Sequence, residues 1–297
     1  MSLPAYIGEV LFAESAHKPI KGNVGFIGPQ TAYLRPNSLA YLSTAYNVAP
    51  PRNLPVELDI SAVGNAQYGG NFVTSRYLMK YLGAKSFQSI DSSDEAGADI
   101  VVDLSGKLPR KLQGSFDFIY DGSCLGSVFD PAAVLCNMSR LLRPGGRMLL
   151  LNHATWFNAP YAIFSPGWYF DFCVSNGYAD CQVFLGFYRS ARDLHLGPLH
   201  TVYYNWSATR SNGNVPTVPK DFHVMLIVLA EKGKKSTDDV SPVQQQYRDE
   251  KYDTTVYRKN AERIVQSSRR LFSMPKEIIG DDRHFIEIPP LGQKIPF

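Results

Sequence analysis

Four short apolar runs in this chain each end on a small or acidic residue, with helix signals between them, and this alternation admits few folds. Asn23–Ile27 stops at Gly28-Pro29, Ser86–Ile90 ends at Asp91, Ile100–Val102 ends at Asp103, and Phe116–Tyr120 ends at Asp121-Gly122-Ser123. A fifth run, Met148–Leu151, leads into Asn152-His153. Runs that are apolar at every position read as strands buried on both faces, the habit of parallel sheets. Pro36-Asn37-Ser38 starts a helix with Leu39, Leu42 and Tyr46 on one face. Asn71 is placed to cap a second, with Phe72, Val73, Tyr77 and Tyr81 inward and Gly83 just past its end. Asp130-Pro131 and Ser165-Pro166 open two more, each with a capping side chain before a proline. Cys181–Tyr188 and Phe222–Ala230 are two further strands, separated by a long polar and aromatic loop. The pattern predicts an α/β protein, a Rossmann-like and mostly parallel sheet flanked by helices.

The remaining stretches are less regular. Residues 1–22 favour no single element. Residues 47–70, rich in Pro and Gly, read as a loop or insertion with a short strand at Val56–Ile60. After Lys232-Gly233-Lys234-Lys235 the composition shifts, which divides the chain into a main domain (1–235) and a helical C-terminal appendage (236–297). The appendage carries one helix with Tyr257, Ala261, Ile264, Val265, Ser268 and Leu271 along one face. Such a stripe must be covered, by the main domain or by a second copy in a homo-oligomer.

Composition narrows the function. With 44% hydrophobic and 19% charged residues, the 297-residue chain can bury a sizeable core. A net charge of +3 is too weak to suggest a nucleic-acid partner. The longest apolar run, Phe222–Ala230, falls short of the ~20 residues needed to span a membrane. Met1-Ser2-Leu3-Pro4 lacks the basic and apolar regions of a signal peptide, so a cytoplasmic location is expected. Cys124, Cys136, Cys173 and Cys181 show no metal-ligand spacing, and His195 and His200 have no supporting ligands in sequence, so no metal site is expected.

In an open parallel sheet, ligands bind outside the carboxyl ends of the strands. A carboxylate there can accept both vicinal hydroxyls of a ribose, a second can accept an adenine amino group, and a glycine lets backbone approach the ligand. Gly28, Asp91, Asp103 and Asp121, in that order, suit a nucleoside-type cofactor. No Gly-x-Gly-x-x-Gly follows any strand, which disfavours a nicotinamide oxidoreductase.

Several segments resemble the class I S-adenosylmethionine-dependent methyltransferases. They are Leu82-Gly83-Ala84-Lys85 leading to Asp91, Ala98–Leu104, Phe116–Gly122, and Asn137-Met138-Ser139-Arg140-Leu141-Leu142-Arg143-Pro144-Gly145-Gly146-Arg147. The last is similar to the helix and Pro-Gly-Gly turn that precede the fifth strand of that fold. The first motif departs from the family. Phe26-Ile27-Gly28-Pro29-Gln30 has one glycine and resembles a divergent subgroup with a Gly-Arg-Gln turn, Pro29 standing in place of Arg. Leu58-Asp59-Ile60 before Gly64 is the alternative first strand, with more conventional spacing to Asp91. Gly126-Ser127 stands where the subgroup often has Glu-His.

The resemblance implies a seven-stranded sheet and S-adenosyl-L-methionine as cofactor. It implies that Gly28, Gln30, Asp91, Ser92, Asp103, Leu104, Asp121, Gly122 and Ser123 bind the cofactor. It further implies methylation at oxygen or nitrogen of a small-molecule or glycan acceptor, with surface-polysaccharide biosynthesis the only hint of which. His153, just after the fifth strand, is the expected general base, because imidazole titrates near neutral pH. The alternative is a catalytically inactive member of the fold that serves as a binding or scaffold subunit.

Overall fold

The computed structural model describes residues 2–61, 64–155, 160–206, 218–244, 254–267 and 285–296. In its main sheet β2 (Gly22–Ile27) pairs in parallel with β4 (Ala84–Asp91) on one side and β6 (Phe116–Gly122) on the other. Beyond β4 lies β5 (Ile100–Val101), and beyond β6 lies β7 (Leu142–His153), both parallel. β10 (His223–Glu231) then enters antiparallel between β7 and β8 (Asp180–Tyr188). The first strand is therefore Gly22–Ile27. Leu58 makes only an isolated bridge to Val73, so the expected strand at Val56–Ile60 does not form.

Among the described residues the sheet has nine strands, two more than expected. β9 (Leu199–Tyr204) arises inside the loop between β8 and β10 and pairs with β8. β11 (Phe285–Leu291) pairs antiparallel with β9 and forms the sheet edge. Pro289 and Pro290 are tolerated in β11 because an edge strand leaves one side of its backbone unpaired. A separate two-residue parallel ladder joins β1 (Ser2–Leu3) to β3 (Thr31–Ala32), laying the start of the chain beside the turn after β2.

One face of the sheet is covered by α1 (Ala5–His17), α2 (Pro36–Tyr46) and α4 (Ser75–Tyr81). The other is covered by α5 (Pro131–Leu141), α6 (Pro166–Ser175) and α8 (Thr254–Ser267). Asp130 Oδ1 accepts from Ala133 N at 3.0 Å and Ser165 Oγ from Trp168 N at 3.3 Å, so both capping signals act as expected. The second helix starts later than expected. Asn71 takes a left-handed φ of 66° and Thr74 caps α4, because the chain first crosses from Val73 to Leu34 before it coils. Gly83 ends α4 at φ 100°.

The Pro-Gly-Gly turn has a steric cause. A Cβ on Gly146 would lie 2.9 Å from Arg143 O and 3.2 Å from Phe116 O, so only glycine lets β7 run this close to β6. Arg147 then enters the core and pairs with the buried Glu14 of α1, under the Phe118 ring.

The segment after residue 235 is joined to the main sheet at several points. Tyr257 of α8 donates to Asp171 Oδ1 at 2.5 Å, and Arg263 donates to Tyr178 O at 2.6 Å. Tyr257, Ala261 and Ile264 are buried, while Ser268 and Leu271 of the expected stripe lie outside the described residues. Deleting 236–297 would strip β9 of its outer partner, β11, and bare the face under α8, since unpaired edges and apolar surface promote association. The truncated chain is expected to lose solubility or gain mass in light scattering; an equally soluble product of unaltered state would contradict this.

Candidate active site

At the carboxyl edge of β2 and β4 lies a cleft. Its floor is apolar, from Ile27, Ile90, Leu104, Val128 and Val134, and its polar wall is Asp91, Ser92, Asp103 and Ser105. The fold thus brings Gly28, Asp91, Ser92, Asp103 and Leu104 around one cleft, though they span 77 positions of sequence (28 to 104). A larger hollow lies beside β5, against Gln88, Lys111 and Phe116. It opens at the middle of β4 and the start of β6, away from the carboxyl ends where ligands of such sheets bind.

Local geometry suits close approach by a ligand. Gly28 turns at φ 72° and donates its N–H to Ile90 O at 2.6 Å, which folds the backbone over the end of β4. Asp91 Oδ1 accepts from Ser92 N at 2.6 Å, which fixes the carboxylate and leaves Oδ2 to receive a donor. Asp103 Oδ1 accepts from Ser105 N at 2.8 Å, closing the turn after β5.

The other expected residues sit at the end of β6. Asp121 is fully buried and accepts from Cys124 N at 2.7 Å, Asn152 Nδ2 at 3.0 Å and Leu125 N at 3.5 Å. Burial pushes its carboxyl up to about 6, against the pull of these donors. Its carboxylate organises the Ser123–Leu125 turn, where Ser123 adopts a φ of 80°. Asn152 Oδ1 in turn accepts from Gly126 N at 3.3 Å. Gly122 makes a cradle: a Cβ there would strike Gln30 Oε1 and Ser2 O. Gln30 is buried, donates from Nε2 to Ile27 O at 2.7 Å, and its Oε1 has no partner.

His153 ends β7, half-buried. Burial, and then the charge of His223, push its imidazole down to about 4, so the ring is neutral at pH 7. Cys124 lines the cleft, and burial followed by Asp121 and Asp91 pushes its thiol up to about 12; it is a thiol, not a nucleophilic thiolate. Sequence reasoning missed Cys124, Ser105 and Val134 as cleft residues, although each lies within two residues of an expected site residue or on the expected inward face of α5. Trp156, from the aromatic segment after β7, lies outside the described residues.

The strand order agrees with the resemblance: β5, β4, β2, β6, β7, β10 and β8 are neighbours in that order, with β10 reversed. Residues 81–150 match a family model described as a methyltransferase domain. By its strand order and its central segment, the chain has the class I methyltransferase fold.

No curated protein matches the chain. Among solved structures it is similar to the CMeT domain of a citrinin polyketide synthase, with 11% identity over 73% of this chain and 48% of that one (TM-score 0.33). It is also similar to a Burkholderia thailandensis 1,6-didemethyltoxoflavin-N1-methyltransferase bound to its substrate and S-adenosylhomocysteine, with 13% identity over 77% and 78% (TM-score 0.31). A third is a phosphoethanolamine N-methyltransferase of Haemonchus contortus with S-adenosylhomocysteine, with 11% identity over 78% and 54% (TM-score 0.39). The chain spans about half the length of the first and third of these chains. No helix among its described residues is long and apolar enough to cross a membrane.

Proposed function

We propose that this chain transfers a methyl group from S-adenosylmethionine to an oxygen or nitrogen of a small-molecule or glycan acceptor. The observation that carries this reading is the cleft between Gly28 and Asp91 at the carboxyl edge of the sheet. Its residues fit the cofactor. The apolar floor of Ile27, Ile90 and Leu104 suits a flat base, and the anchored Asp91 carboxylate suits two vicinal hydroxyls. The Gly122 cradle beside Gln30 Oε1 offers an acceptor to an ammonium group.

In this reading Asp91 and Ser92 hold the ribose, and Asp103 and Leu104 bound the base. Gly28, Gln30, Gly122 and Ser123 hold the amino-acid end, and Asp121 fixes the turn that carries Ser123. When bound, the cofactor supplies an electrophilic methyl group on a sulfonium. The chain's own part is then mainly positioning. His153, neutral at pH 7, takes the proton of an acceptor hydroxyl at Nε2, since Nδ1 is buried.

Asp91→Ala is expected to weaken S-adenosylhomocysteine binding at least tenfold, about 1.4 kcal/mol, as measured by calorimetry. A folded variant of unchanged affinity would remove Asp91 from the site.

A further inference from the structure

On the face of the sheet that packs against α1, the carboxyl edge carries His153 of β7, His223 of β10 and Tyr188 of β8. The register sets Met225 opposite His153 and His223 opposite Tyr188, so the three side chains stand in a row on neighbouring strands. The rings of Tyr188 and His223 are 5.4 Å apart. Tyr6, in the first turn of α1, belongs to the same buried cluster as Tyr188 and lies close enough to interact with it electrostatically. Tyr6 and Tyr188 are 0% and 3% exposed, yet neither hydroxyl has a hydrogen-bond partner.

A buried hydroxyl without a partner costs free energy, and native interiors rarely leave one so. Two of them beside the edge that holds His153 are the mark of a site built to hydrogen-bond a ligand. Nearby ionised groups are engaged elsewhere. Glu9, one turn along α1, accepts from Tyr46 at 2.8 Å and from Gly292 N at 2.6 Å. Arg189, next to Tyr188, lies over the Phe222 ring at 4.2 Å. Among the described residues no Lys or Arg side chain is hydrogen-bonded to either phenol, and burying an unpaired charge there is costly.

We propose that Tyr6 and Tyr188 form the acceptor subsite with His153, and that it takes an uncharged, hydroxyl-bearing acceptor such as a polyol or sugar in preference to a carboxylate or phosphate. The inference rests on the methyltransferase reading above and deepens it. Each phenol can both donate to and accept from a substrate hydroxyl. Sites built this way discriminate strongly, because a ligand that fails to pair leaves their polar groups stranded.

The test uses the full chain saturated with S-adenosylhomocysteine and saturation-transfer NMR with three probes: methyl glucoside, glucuronate and glucose 6-phosphate. The methyl glucoside signal is expected to exceed the other two at least tenfold. It is expected to fall about tenfold in each of Tyr6→Phe and Tyr188→Phe. Both variants should melt within roughly 4 °C of the parent, on the order of a 1 kcal/mol change or less, because no hydrogen bond within the protein is lost. A signal as strong from either anion, no signal from methyl glucoside, or unchanged binding in both variants would overturn the proposal. So would a melting point that collapses in both variants, since the hydroxyls would then be structural. A chain that does not bind S-adenosylhomocysteine overturns the methyltransferase reading as well; one that binds it but fails with methyl glucoside overturns the acceptor subsite alone.

Discussion

Glu14→Ala is expected to cost about 3–5 kcal/mol of folding free energy, a large part of the ~5–15 kcal/mol that holds a domain together. Glu14 and Arg147 are 3% and 4% exposed and form an ion pair between α1 and β7. Arg147 also donates to Pro19 O at 3.2 Å and lies 5.6 Å from the Phe118 ring centroid. Removing the carboxylate leaves a guanidinium in the core with one carbonyl and a ring for company. The penalty is chiefly that stranded charge and not the value of the pair, so Glu14→Leu combined with Arg147→Met should recover most of the loss. Denaturant unfolding measures both. A single variant within about 1 kcal/mol of the parent would show that the pair does not secure α1 to the sheet.

His153→Ala should lower turnover at least a hundredfold, the usual effect of losing a general base, while S-adenosylhomocysteine affinity stays within a few-fold. The low imidazole pKa adds a second signature. Activity should persist as pH falls below 6.5 and fail only toward about 4, where the folded-state ring is protonated. Stability moves over the same window. Between pH 6.5 and about 4 the unfolded chain binds a proton at His153 that the folded chain refuses, so stability declines as pH falls. His153→Ala should flatten that decline. A variant that melts lower but turns over normally per folded molecule would assign His153 to the loop and not to the reaction.

Much of the fold was legible because the parallel strands carry short apolar runs that stop at Gly or Asp, and because α5 and α6 announce their caps. Asp130, Ser165 and Gly83 stand where the sequence placed them, for the capping and left-handed turns they were read for. α1 was not legible. Tyr6, Ile7, Val10, Leu11, Phe12 and even Glu14 are buried around its whole circumference, so it shows no amphipathic stripe. β9 and β11 escaped because a short aromatic run and a proline pair make weak strand signals. At the site, strand ends located the cleft: five expected residues share it. What sequence spacing does not reveal is which way a strand-end side chain turns. Asp121 faces inward to Asn152, a residue 31 positions away that only the β6–β7 pairing brings near. Tyr6 and Tyr188, 182 positions apart (6 to 188), are brought near only by packing of α1 on the sheet.

The most direct test is calorimetric titration of S-adenosylhomocysteine into the full-length chain. One-to-one binding with a Kd at or below ~100 µM, about −5.5 kcal/mol, is expected from a cleft with Gly28 at its turn and Asp91 in its wall. No heat of binding up to millimolar ligand, from protein shown to be folded, would contradict methyl transfer and leave a methyltransferase fold used as a scaffold.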